Sequence, residues 1–171
     1  MNASLDALKP AFRVLLNPLI AIMGNQGFEP RITWTIRTPV EQAKLWRQGR
    51  PLSVIKAKIQ ELDKEGADYL AHCLHVAGPQ MGKDKVTNAL PGQSWHQFGE
   101  AADMALFENG KLIKDGGHNA YLTLAKEAWL LGLTTGIGWG DAGHIQYSKL
   151  SKPQYSLKDA NELMRLKFLG E

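Results

Sequence analysis

The sequence predicts an α+β domain built on a small antiparallel sheet flanked by helices. Apolar residues recur at helical spacing in several separate stretches, whereas strand-type runs are short and confined to residues 31–36, 101–107 and 143–147. An Asn-Gly pair follows the second run, the usual signal of an antiparallel hairpin. Strands and helices do not alternate as the βαβ units of a parallel sheet would require.

Leu5, Leu8, Phe12, Leu15, Leu19 and Ile22 fall three and four apart, with Asp6, Lys9, Arg13 and Asn17 on another face. The chain therefore opens with a packed helix, which Pro18 is placed to kink. Arg31–Ile36 mixes β-branched and aromatic residues and reads as a strand. Thr38 then caps a helix, with Pro39 at its first position and Glu41 completing a capping box; it carries Gln42, Leu45 and Trp46 and stops at Gly49. Ser53 starts a further helix with Val54, Ile55, Ile59 and Leu62 on one stripe. Gly66 interrupts it, Ala67–Val76 resumes it, and Gly78-Pro79 ends the run.

Residues 78–95 read as a loop with a short extended piece at Val86-Thr87. Ala101–Phe107 is a strand, Glu108-Asn109-Gly110 a hairpin turn into Lys111–Ile113, and Asn119–Leu131 a helix ending near Gly132. Gly143–Tyr147 is a short strand with Ile145 and Tyr147 on one face and His144 and Gln146 on the other. A last helix begins near Leu157, where Ser156 and Asp159 form the cap.

A chain of 171 residues is expected to form one domain, residues 1–171, with a real core. The lone Cys73 excludes an intramolecular disulfide and a cysteine-rich zinc knuckle, so any metal must be held by His, Asp or Glu. A net charge of +3 and a pI near 9.0 favour polyanionic partners, cell-wall polymers among them. The basic residues are scattered without a run or an RNA-binding signature, so no nucleic-acid partner is expected. Lys9 and Arg13 precede Val14-Leu15-Leu16, but Asn17 and Pro18 break the apolar stretch and no small-residue cleavage site follows. The expectation is a chain made in the cytoplasm without a signal peptide, with no transmembrane segment.

The chemistry concentrates in two places. Ser94-Trp95-His96-Gln97-Phe98-Gly99-Glu100-Ala101-Ala102-Asp103 supplies an imidazole and a carboxylate, and Asp141-Ala142-Gly143-His144 supplies a second pair. Two imidazoles and two carboxylates make the inventory of a catalytic zinc site: three protein ligands, an open position, and a carboxylate to act as base. His96 and Asp103 lie seven apart, which suits a loop running into a strand, with Gly99 and Ala101 keeping the backbone slim beside a metal. An aspartate in an apolar strand costs several kcal/mol unless it is paired or ligates a cation, so Asp103 is either a ligand or half of an arginine ion pair. Asp141 and His144 read, taken alone, as a turn cap beside a buried histidine; they become a base and a third ligand once His96 and Asp103 need one.

The run Ser94-x-His96-x-x-Gly99-x-Ala101-x-Asp103 resembles the signature of the D-alanyl-D-alanine carboxypeptidase and L-alanyl-D-glutamate endopeptidase family of zinc peptidases. Val86-Thr87-Asn88-Ala89-Leu90-Pro91-Gly92-Gln93 is similar to the family's entry into that motif. So is Ile36-Arg37-Thr38-Pro39-Val40-Glu41-Gln42 with the Leu45–Gly49 helix end after it. The resemblance runs with gaps from about residue 28 to 147. The family includes phage endolysins and the vancomycin-resistance dipeptidases, and shares its fold with the hedgehog signalling domain. By this resemblance His96, Asp103 and His144 would bind Zn2+, and Asp141, where some relatives carry glutamate, would be the general base. Arg37 would face the substrate carbonyl or carboxylate, its alternative being a structural salt bridge. Ser94 and Gln42 would lie near the bound peptide.

Two departures stand out: residues 51–77 form a longer helical insertion than compact members have, and the approach to His144 over 136–143 is unusually rich in glycine. The function expected from the resemblance is zinc-dependent hydrolysis of peptidoglycan stem peptides at the L-alanyl-D-glutamate bond. The enzyme would be a monomeric phage or prophage endolysin that reaches the wall after release through a holin. The alternatives are a D,D-carboxypeptidase or dipeptidase on D-Ala-D-Ala ends, and a zinc-containing binding module without catalysis.

Three other features are set aside. Gly138-x-Gly140-x-x-Gly143 matches a dinucleotide fingerprint without a parallel βαβ unit to use it. His72 and His75, either side of Cys73 and Leu74 on a helix, lack a further ligand partner in sequence, and His118 is a helix-entry residue. The five tryptophans are core candidates, with Trp95 and Trp139 flanking the site.

Overall fold

A computed structural model describes residues 2–78 and 82–170. Pro79 and part of the 78–95 loop lie outside the described residues. The α+β class is observed: the described residues form seven α-helices and a five-stranded, wholly antiparallel sheet. The residues group into two compact units, one of residues up to Ile36 with Phe98–Ser151, the other of Arg37–Gln97 with Lys152 onward.

In the first unit, a 3-10 turn at Leu5–Ala7 leads into helix α1, Pro10–Asn25, with Pro10 opening the first helical turn. Its buried stripe is Phe12, Leu16, Leu19 and Met23, not the Leu15 and Ile22 expected from spacing. Pro18 sits inside the helix on an exposed position. Strand β1 is Glu29–Trp34, ending before Ile36 because the Thr35 amide and hydroxyl both donate to the Asn2 carbonyl, at 2.7 and 3.0 Å.

Strand β2, Ala101–Glu108, is the spine of the sheet, flanked by β1 on one side and on the other by β5 (Asp141–Gln146), which pairs in turn with β4 (Thr134–Gly136). Asn109 and Gly110, both at positive φ, turn it into strand β3, Lys111–Leu112, as the Asn-Gly pair predicted. Helix α6, Asn119–Leu130, follows, with the His118 side chain accepting from the Ala120 amide as its cap. Strand β4, Thr134–Gly136, was not foreseen; three residues are too few to show alternation. A 3-10 turn at Ile137–Trp139 precedes strand β5, Asp141–Gln146. Ala102, Met104 and Leu106 of β2 meet Ile145 of β5, the α1 stripe, and Ala120, Leu124 and Ala128 of α6 in one core. Asp103 and His144 therefore face away from it.

The second unit is helical. Helix α2, Pro39–Arg47, carries the expected capping box between Thr38 and Glu41. Helix α3, Leu52–Lys64, buries Ile55 and Leu62 but leaves Val54 exposed, and helix α4, Asp68–Val76, follows. Helix α5 is the single turn Trp95–Phe98, and helix α7, Leu157–Leu169, starts at the expected Ser156 cap. The Asn161 side chain of α7 accepts from the Leu70 amide and donates to Asp68, pinning α7 to α4. The described part of the 78–95 loop is held by Arg50, which donates to the Thr87 carbonyl and the Asn88 side chain and stacks its guanidinium on Trp46. Trp129 and Trp139 are exposed, contrary to the core assignment.

The glycines between 136 and 143 differ in what an added side chain would meet. A Cβ on Gly143 would stand 2.6 Å from the Met104 carbonyl oxygen, where β5 crosses β2. A Cβ on Gly138 meets nothing within 4 Å. Gly143→Ala should therefore destabilise the fold by about 1–3 kcal/mol, while Gly138→Ala should change it by less than about 1 kcal/mol. Urea denaturation of the two variants checks this, and equal effects would contradict the close approach.

Candidate metal centre

Asp103 and His144 are brought together by the sheet itself. They are directly opposed residues at the end of the β2–β5 register, next to the pair Ala102↔Ile145. Cross-strand partners stand about 4.5–5.5 Å apart at Cβ, close enough for side chains to meet. Here His144 Nδ1 lies 3.2 Å from Asp103 Oδ1. The Asp103 carbonyl also accepts from the Thr33 hydroxyl at 3.2 Å, beside an irregularity in β1 between Ile32 and Trp34.

His96 arrives by a different route. It is almost fully buried on the α5 turn, not in the loop that the spacing to Asp103 suggested. The turn begins after Ser94, whose carbonyl accepts from the Gln97 amide, and ends at Gly99 with φ of +72°. Gly99 is required by backbone packing rather than by a metal: a Cβ there would approach the Ala7 carbonyl oxygen at 3.1 Å and the Lys9 nitrogen at 3.3 Å. The Gly99 carbonyl accepts from the Lys9 amide, so the exit from the turn is tied to the start of α1.

His96, Asp103 and His144 each offer a ligand atom, and these atoms lie within 4.8 Å of one another. Two imidazoles and one carboxylate fit a borderline-soft divalent ion such as zinc, and three protein donors leave a coordination position free for substrate chemistry.

Asp141 opens β5 in an exposed position, three residues before His144. The β4–β5 pairing jumps from Thr135↔Ile145 to Gly136↔Asp141, so residues 142–144 bulge out against a single step on β4. Gly136 makes this possible: a Cβ there would sit 2.3 Å from the Asp141 carbonyl oxygen and 3.0 Å from the His144 Cβ. Trp139 stands beside His144, ring centroids 6.1 Å apart and tilted at 58°.

Burial opposes a charged His144, but the hydrogen bond to Asp103, that carboxylate's charge, the contact with Gln146 and the charge of Asp141 outweigh it. The imidazole is held above its ordinary value of 6.5.

The remaining expected residues lie in the second unit. Buried Arg37 donates from Nη1 to Gln42 Oε1 at 2.9 Å, and Gln42 Nε2 donates to the Ala89 carbonyl at 2.7 Å. Ser94 is buried as well. His72 and His75 are exposed, and burial pushes the Cys73 thiol up to about 11, so that stretch holds a packed, inert cysteine. Sequence reading missed Gln146, which contacts the second nitrogen of His144; its place two residues on, on the same strand face, was the available signal.

Comparison with known proteins gave no matching family model and no matching curated protein. Among solved structures, the chain is similar to the crystal structure of a vancomycin-resistance D,D-pentapeptidase, VanY from a VanB-type resistance cassette, in complex with Zn(II). The identity is 18%, covering 92% of this chain and 78% of that one, with a TM-score of 0.47. A likeness that slight transfers neither activity nor ligand, so the site's own chemistry has to carry the functional reading.

An imidazole must be neutral to bind a metal. Affinity for a divalent ion should therefore fall as pH drops through the raised His144 value, by roughly tenfold per unit below it. Competition with a chromophoric chelator between about pH 5 and 9 measures this, and a flat profile would contradict the ligand set. In the metal-free protein the sign reverses. The protonated ring's contribution to stability is fully present below the unfolded value of 6.5 and is lost as pH rises through the higher folded one.

Proposed function

We propose that this chain is a zinc-dependent hydrolase of peptidoglycan stem peptides that cuts the L-alanyl-D-glutamate bond as an endolysin-type enzyme. The observation that carries the reading is the convergence of His96, Asp103 and His144, with ligand atoms within 4.8 Å. Support for the substrate comes from the resemblance of the Ser94–Asp103 run and of the Arg37–Gln42 segment to the family of wall-peptide zinc peptidases. Asp141 adds to it, since a site that only stored a metal would need no further carboxylate next to a ligand.

Zinc, when bound, would polarise the scissile carbonyl and acidify a water toward a pKa of ~7. The protein's own groups do the rest. Asp141 takes the proton of the attacking water and returns it to the leaving amine as the C–N bond breaks. Arg37, its guanidinium fixed by Gln42 and Gln42 in turn by the Ala89 carbonyl, offers positive charge to the substrate carbonyl or carboxylate. Ser94 would lie near the bound peptide, while Gln42, fully buried with both ends of its amide engaged, serves to hold Arg37. A net charge of +3 favours encounter with an anionic wall, an attraction that weakens with salt.

Digestion of purified peptidoglycan, followed by mass spectrometry with and without a chelator, tests the reading. Peptides with a new amino-terminal glutamate, abolished by chelation, are expected. Free D-alanine would replace it with a carboxypeptidase, and no cleavage by zinc-replete protein would favour a binding module. Asp141→Ala should keep the metal yet lower turnover by about two to four decades. Wild-type turnover in that variant would remove Asp141 from the base role.

A further inference from the structure

His144 has a partner on each ring nitrogen, and the second partner is itself held on both sides. Nδ1 faces Asp103 Oδ1 at 3.2 Å, and Nε2 faces Gln146 Oε1 at 3.0 Å. Gln146 is fully buried at the end of β5, on the same strand face as His144. Its Nε2 donates to two carbonyls of the turn that follows, Ser148 at 2.7 Å and Leu150 at 2.8 Å.

Those two contacts settle the orientation of the amide. A carbonyl oxygen can only accept, so the end of Gln146 beside Ser148 and Leu150 must be the NH2 group. The end beside His144 is then the oxygen, and the imidazole Nε2 must donate to it. Nδ1 is left pointing at a carboxylate that also only accepts. Two acceptors 3.2 Å apart are repulsive unless a cation lies between them, either a proton on Nδ1 or a metal ion shared with Asp103.

We propose that Gln146 is a positioning residue for His144: by holding Nε2–H it presents Nδ1 as the nitrogen that exchanges its proton for the metal beside Asp103. The inference rests on the metal reading of the site. The Ser148–Leu150 turn belongs to the same device, since its carbonyls keep the Gln146 amide from flipping. Ligand histidines elsewhere are fixed in the same way, by an acceptor on the nitrogen that does not bind, and loss of that acceptor costs about 10–100-fold in metal affinity.

The test is nitrogen-15 NMR of the imidazoles in zinc-loaded, full-length protein, with the His144 signal assigned by its loss in His144→Gln. The expected spectrum shows an Nε2–H that exchanges slowly with water. A spectrum with the hydrogen on Nδ1 would overturn the proposal without any variant being made. Gln146→Met, which keeps the side-chain length but has no oxygen, should weaken zinc binding by about 10–100-fold in chelator competition and expose Nε2–H to rapid exchange. Unchanged affinity would overturn the proposal and leave the peptidase reading standing. A variant weakened as expected, in a chain whose native form cleaves no wall peptide, would overturn the peptidase reading and leave Gln146 in place. Failure of the native chain to bind zinc would overturn both.

Discussion

The antiparallel pairing of β2 with β5 is the constraint from which the site follows. It sets Asp103 opposite His144, and the opposite faces of the same strands supply Ala102, Met104, Leu106 and Ile145 to the core. Side chains alternate along a strand, so a slip of one residue would send Asp103 and His144 inward and the apolar set outward. The cost of burying that carboxylate and imidazole thus protects the register that makes the centre. Hydrophobic packing by α1 and α6 therefore fixes a polar geometry on the other side of the sheet.

Close backbone approach is the second requirement. Gly143 lets β5 run against the Met104 carbonyl, and Gly136 lets β4 meet Asp141 while three residues of β5 bulge outward. The bulge separates the roles of two nearby residues. His144 stays in register with Asp103, and Asp141 is displaced to an exposed position near enough for its charge to favour the imidazolium. Gly99, by contrast, serves the fold: it lets the end of α5 lie against residues 7–9.

Features set by local chemistry were legible in the sequence. The Thr38–Glu41 capping box, the Asn109-Gly110 turn and the Ser156 cap each depend on a few adjacent residues, and all three formed as read. Asp103 stood out as the one acid within the apolar run Ala101–Phe107, and in the strand it is half-buried while its neighbours Ala102 and Met104 are buried. What depends on distant contacts was not legible. Apolar residues crowd α1, so the 12-15-19-22 and 12-16-19-23 stripes both have helical spacing, and only the packing of α6 and β2 selects the second. β1 ends early because Thr35 binds Asn2, a partner 33 residues away. Gln146 escaped notice because its importance lies in which way an amide faces, and the Ser148 and Leu150 carbonyls decide that. The metal ligands were named from a motif and a resemblance; their convergence is a property of the fold.

His96, Asp103 and His144 together are assigned to one metal ion. Anomalous scattering at the zinc absorption edge, from crystals of the chain grown with stoichiometric zinc, tests it most directly. A single strong peak per chain is expected, bounded by His144 Nδ1, an Asp103 oxygen and a His96 ring nitrogen, with no comparable peak at His72 or His75. A peak elsewhere, or none at this cluster in zinc-saturated crystals, would contradict it.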